Sequence, residues 1–137
     1  MRVHVWAEDR PLPEAAEQMR RIYPNGVEGA IADCLREMEG TVVTTSTMQD
    51  PEQGFDREIL DKTAVLVYWS HKHWREVEQT HVDYLQKRVL EGMGLVVLHS
   101  AHASKLFAQL MGTRTQCLRW RENDELQRYW IVSPAHP

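Results

Sequence analysis

Four of the seven histidines fall in two short stretches, S-H-K-H-W at 70–74 and H-S-A-H at 99–102. An imidazole exchanges a proton near neutral pH and, when neutral, ligates divalent metals. If residues 71–73 are extended, the spacing of His71 and His73 puts both rings on one side of the chain. Joined by His102 or Glu8, they would give three ligands and one open position, as in hydrolytic zinc sites. No H-E-x-x-H helix accompanies them. Ser100 stands where a nucleophile elbow would place its hydroxyl. The G-x-S-x-G pattern wants small residues on both sides, and here those places hold Leu98 and His102. Ser100 is therefore read as a hydrogen-bond donor to a ligand or as a helix cap. The plainer reading of any one of these histidines is a hydrogen-bonded structural residue. Cys34 and Cys117 are read as packing residues.

The histidine stretches have meaning only through the elements that hold them. Leu95 to Leu98 is a short apolar run with two β-branched residues, which predicts a strand buried on both faces. It stops on His99-Ser100-Ala101-His102, and a helical pattern resumes behind Ser104. Val3–Trp6, Thr41–Ser46 and Ala64–Trp69 read as three further strands. Residues 14–23 predict a short amphipathic helix with Ala15, Met19 and Ile22 on its apolar side. A second helix carries Val27, Ile31, Cys34, Leu35 and Met38, with Asn25 and Glu28 as a capping box and Gly40 as its end. Glu76–Glu91 predicts the longest helix. Cys117–Arg121 and Arg128–Val132 read as a hairpin.

Strands alternating with helices predict an α/β domain with a mainly parallel sheet covered on both faces. The simplest strand order is the flavodoxin-like 2-1-3-4, which brings the ends of the first, third and fourth strands together. Trp6, Glu8, Trp69, His71, His99 and His102 would then share one carboxyl edge. Core is the plainer role for Trp6. At a cleft, however, a tryptophan offers a flat face on which a sugar ring can stack, so Trp6, Glu8 and Trp69 are the candidate substrate contacts.

A net charge of -4 without a basic run argues against a nucleic-acid partner. Two distant cysteines argue against a disulfide framework and fit a reducing compartment. With no leader-like or membrane-spanning apolar stretch, the expected location is the cytoplasm and no membrane partner is expected. Assembly as a homo-oligomer stays open.

Several stretches together resemble the trehalose utilisation (ThuA-like) family. They are R-V-H-V-W-A-E at 2–8, I-Y-P-N-G-V-E-G-A-I-A-D-C-L-R-E at 22–37 and V-L-V-Y-W-S-H-K at 65–72. V-L-E-G-M-G-L-V-V-L-H-S-A-H-A-S-K-L-F at 89–107, L-M-G-T at 110–113, L-R-W-R-E at 118–122 and S-P-A-H-P at 133–137 follow in order. The resemblance implies a class I glutamine amidotransferase-like fold, a flavodoxin-like three-layer sandwich. It also implies a role in the uptake and breakdown of trehalose and similar disaccharides. The amidotransferase cysteine would sit in the turn after the fourth strand. Ser100 is there instead, so glutaminase activity is not expected. Family members often carry histidine where this chain has Glu28 and Gln53, and G-H-x-x-H where it has S-H-K-H-W. They also continue past S-P-A-H-P, so residues 1–137 read as a single domain lacking its C-terminal part.

The resulting expectation is a protein that acts on a sugar or sugar derivative. His71, His99, Ser100 and His102 are its catalytic candidates. His71, His99 and His102 are also the candidate ligands of a divalent metal, with zinc the first choice. The alternative is a non-catalytic sugar-binding or assembly module on the same fold.

Overall fold

The computed structural model describes residues 1–113, 126, 128, 130, 131 and 133–135. Its centre is a sheet of four parallel strands: β1 (Arg2–Ala7), β2 (Val42–Thr47), β3 (Val65–Trp69) and β4 (Gly94–Leu98). Their order is β2-β1-β3-β4, the expected one. The register pairs Trp6 with Tyr68 and Ala7 with Trp69, and Trp69 in turn with Leu98. The helices are α1 (Ala16–Ile22), α2 (Gly26–Arg36), α3 (Arg57–Leu60), α4 (Gln79–Leu90) and α5 (Lys105–Met111). Among the described residues no helix is long and apolar enough to cross a membrane. The expected hairpin falls largely on residues outside the described set. Cys117 lies outside it too. Trp130 and Ile131, both described, are exposed.

Alternation along the strands sends successive side chains to opposite faces. Val3, Val5 and Val67 meet Ala32, Ile31 and Leu35 of α2 on one face. Trp6, Leu66 and Tyr68 meet Phe55, Leu60, Leu85 and Leu106 on the other. The sheet is thus the middle of three layers. Trp6 is wholly enclosed and lies parallel to Phe55 at 4.8 Å and to Tyr68 at 4.6 Å between ring centres. Each such aromatic pair adds about 0.5–1.5 kcal/mol beyond burial. The Trp6 indole N–H donates to the Gln53 carbonyl at 2.7 Å.

Helix α2 departs from expectation in detail. Asn25 makes no side-chain cap bond, so the capping box does not form. The Glu28 carboxylate folds back over Gly26 instead, where a Cβ would lie 2.1 Å from it. Desolvation, aided by Asp9 and Asp50, raises the Glu28 pKa above its ordinary value. The buried side of α2 runs through Val27 and Ala32, which leaves Cys34 and Met38 exposed. Cys34 is therefore not a packing residue. The cap of α5 is Ser104, not Ser100, and it accepts from the Phe107 N–H at 3.2 Å.

His4 is the one fully enclosed histidine among the described residues. Its ring bridges the Thr44 and Ser46 hydroxyls of β2, each at 2.8 Å. The Ser46 hydroxyl donates to the Gly54 carbonyl at 2.7 Å, so it must accept from His4 Nε2–H, leaving Nδ1 to accept from Thr44. Burial lowers the His4 pKa from 6.5, against a smaller raising effect of the Gly54 hydrogen bond and Asp56. The unfolded chain therefore binds this proton first as the pH falls. Stability contributed by His4 is present above pH 6.5 and is lost as the pH drops through the depressed folded value. Within that window the expected slope is up to about 1.4 kcal/mol per pH unit. His4→Gln, which can keep one donor and one acceptor, should flatten the acid limb of urea midpoint against pH. An unchanged limb would assign it to other groups.

Candidate functional site

A cleft of about 340 Å³ opens beyond the carboxyl ends of β1, β3 and β4. This is the size of a small-molecule pocket, whose usual range is about 300–1,000 Å³. Glu8, Trp69, His71, His99 and Ser100 line it, together with Asp9, Arg10 and Lys72 and an apolar group from Pro11 to Val27. Five of the seven candidate site residues are therefore brought together. Trp6 and His102 are not among its lining residues.

Glu8 ends β1 and is almost fully buried. Its backbone N–H donates to the Trp69 carbonyl at 3.0 Å, continuing the ladder one step past the strand. Its carboxylate accepts from the His71 backbone N–H at 2.8 Å and from the Lys72 backbone N–H at 2.9 Å. Both oxygens are thus engaged with the turn after β3. Glu8 thereby fixes where the backbone of His71 stands.

His71 is exposed in the cleft, with its ring nearly parallel to Trp69 at 6.4 Å. Partial desolvation lowers its pKa from the ordinary 6.5, and the charges of Lys72 and His99 push the same way against Glu8. Neutral imidazole is the form expected at neutral pH, and that form can accept a proton. His73 is turned away from the cleft, its Nδ1 lying 2.7 Å from Glu76 Oε1. Glu76 also takes the Arg10 guanidinium, tying the loop after β1 to the loop after β3.

The turn after β4 gives the sharpest geometry. His99 has φ +42°, in the left-handed region that glycine favours. The strained residue at this elbow is His99, one position before the serine singled out from sequence. A short 3-10 turn over His99–Ala103 separates the strand from α5. Ser100 is buried and its hydroxyl donates to the Ser70 carbonyl at 2.8 Å. In this arrangement that proton goes to the Ser70 carbonyl rather than to a base or a ligand. His102 Nδ1 donates back to the His99 carbonyl at 3.0 Å and so braces the strained turn.

The residues do not fit the expected metal set. Among the described residues no group of three or more His, Cys, Asp or Glu side chains is placed to hold an ion. Of the groups that could join His71 and His99, Glu8 is held by two amides and His73 by Glu76. Trp6 is also corrected. It is sealed in the core and presents no face to a sugar, whereas Trp69 lines the cleft.

Reasoning from sequence missed the loop after β1 and the wall provided by α1. The available signal was the apolar side of that amphipathic helix, Ala15 and Met19, which lines the cleft. No residue of α1 is buried. The part played by Gln53 was missed as well. Its amide donates to the Glu76 carbonyl at 2.9 Å and accepts from the Glu78 N–H at 2.9 Å, fastening the loop after β2 to the loop after β3.

The family model described as trehalose utilisation, ThuA, matches residues 2–137. No curated protein matches the chain.

Proposed function

The chain belongs to the ThuA, trehalose utilisation, family, and from that premise we propose that the cleft binds a sugar or sugar derivative on which His71 and His99 move a proton. His71, kept neutral, takes the proton as general base. His99, which lines the same cleft, is the second proton-transfer group, and Trp69 offers its ring to the sugar. Lys72 is near enough to influence His71 and is a cation for the oxygen on which charge develops. The observation that carries this reading is the strained His99. A non-glycine residue at positive φ costs of order 1–3 kcal/mol and persists where its surroundings force it, commonly at working sites. Here it occupies the turn where the amidotransferase-like fold has its nucleophile.

The test is turnover. Purified protein incubated with trehalose, or with an oxidised derivative of it, is expected to form a new product. Binding without product would leave the chain a sugar-binding module. The pH profile supplies the finer check. The acid limb of kcat/KM, which reports the free enzyme, should lie below pH 6.5 because the His71 pKa is lowered. Lys72→Met should move that limb upward in part, since desolvation remains the larger cause. A limb that stays put when Lys72 loses its charge would remove His71 from the base role.

A further inference from the structure

Strand β2 ends the sheet on the side away from β4. Among the described residues it is hydrogen-bonded on one side only, to β1. The Val42 N–H donates to the Met1 carbonyl and the Met48 N–H to the Ala7 carbonyl, so the even-numbered positions turn their backbone groups inward. Val43, Thr45 and Thr47 therefore turn theirs outward. The Thr47 N–H is taken by the Asp50 carboxylate at 2.8 Å, which leaves Val43 and Thr45. Natural edge strands are guarded against pairing by charge, proline or a bulge. The run V-V-T-T-S-T has no charge and no proline, and its register with β1 is unbroken over Arg2–Ala7. Thr44 and Thr45 point to opposite faces and both are exposed, so no described helix screens either side of the edge. The two ends of the edge differ in charge. Arg2 and Lys62 stand at the Val42 end beside Glu58, and Asp50 and Glu52 stand at the Ser46 end beside Arg57, with Asp56 between.

We propose that this edge is a self-association surface, on which β2 of a second copy of this chain pairs antiparallel across a two-fold axis. The outward groups dictate the register. Val43 of each copy exchanges its N–H and C=O bonds with Thr45 of the other, and the two Thr44 residues meet on the axis as a non-hydrogen-bonded pair. The antiparallel direction sets the Arg2–Lys62 end of one copy against the Asp50–Glu52 end of the other. A parallel pairing would oppose like ends. The contact is therefore self-complementary in charge as well as in backbone bonding, as a two-fold interface requires. No residue of β2 lines the cleft, so the contact and the cleft use different residues.

Sedimentation equilibrium of the whole chain, from micromolar to millimolar concentration, is expected to show the mass rising from 16.0 kDa to twice that value. Thr45→Pro removes one outward N–H from each copy and leaves the ladder to β1 intact, a place where an edge strand tolerates proline. It should raise the dissociation constant at least about tenfold. Lys62→Glu should weaken the dimer by setting like charges together, and adding Glu52→Lys should restore it. Cross-linking reads the register. With Cys34 and Cys117 replaced by serine, Thr44→Cys is expected to oxidise to a disulfide-linked dimer. Val42→Cys, which would face Ser46 of the other copy, should not. A chain that stays at 16.0 kDa throughout would overturn the inference. So would a dimer that Thr45→Pro leaves intact and Thr44→Cys fails to cross-link, because its interface would lie elsewhere. Should either variant of β2 fail to fold, the wild-type mass and the charge exchange still decide.

Discussion

Replacing Glu8 by alanine is expected to destabilise the protein by about 3–5 kcal/mol and to abolish turnover, although Glu8 has no proposed contact with substrate. Two backbone amides, those of His71 and Lys72, donate to its buried carboxylate at 2.8 and 2.9 Å. A hydrogen bond to a charged group contributes about 1.5–3 kcal/mol, and a buried amide left without a partner costs its full desolvation. The turn after β3 would then lose the group that fixes its course, and His71 would leave its place beside Trp69. Glu8→Gln separates position from stability. Its single carbonyl oxygen can still accept, but its NH2 would face one of the two N–H donors, so a loss of about 1–3 kcal/mol is expected. The variant should fold. Loss of the Glu8 charge also removes the influence that raises the His71 pKa, so the acid limb of kcat/KM should move down. A structural role alone would lower the denaturation midpoint and leave that limb unmoved. A Glu8→Gln protein with wild-type stability and wild-type pH profile would refute the positioning role.

Much of this frame is legible in the chain itself. Leu95–Leu98 and Ala64–Trp69 are apolar without interruption, which marks strands, and β4 and β3 lie there. β3 is central and largely buried, whereas β4 ends the sheet among the described residues and leaves Val96 exposed, so the expected burial of that strand on both faces is not found. The 2-1-3-4 order follows from alternating strands and helices and is the order observed. The two tryptophans show where legibility stops. Trp6 and Trp69 both close predicted strands, and the sequence treats them alike. The register pairs Trp6 with Tyr68 and places Trp69 one residue further on. A step of one residue reverses the face, so Trp6 enters the α4 side of the core while Trp69 stays on the cleft side. No pattern within either strand reveals that offset, because it is a relation between strands.

The histidines divide for a related reason. Their clustering after β3 and β4 points to one sheet edge, where His71 and His99 line the cleft. Their individual directions depend on turns only a few residues long. His73 lies on Glu76, three residues later, and His102 on the carbonyl of His99, three residues earlier. Such local bonds need the turn's dihedral angles, which residue types leave undetermined. The same holds for Ser100: the sequence locates the elbow to within one residue, and the backbone assigns the strain to His99.

That one-residue shift leads to the largest functional effect expected. His99→Gly should leave the protein as stable as wild type or more stable by up to about 1 kcal/mol, while lowering turnover by about 10²–10⁴-fold. At φ +42° a histidine bears steric strain that glycine does not. Against this relief, glycine loses more conformational entropy on folding, about 0.5–1 kcal/mol. The net change is therefore small or favourable. Activity falls because the imidazole that would transfer the proton is gone, and general acid–base groups contribute on the scale stated. His99→Ala removes the same ring but keeps a Cβ at positive φ, so it should match glycine in activity and fall below it in stability. The pair thus sorts strain from chemistry: denaturation midpoints should rank glycine above alanine, while rates should not distinguish them. His102→Ala offers a third comparison. Loss of its bond to the His99 carbonyl should loosen the turn and lower turnover without abolishing it. If His99→Gly kept wild-type turnover, the strained residue would be an accident of the turn, and proton transfer at the elbow would have to be abandoned.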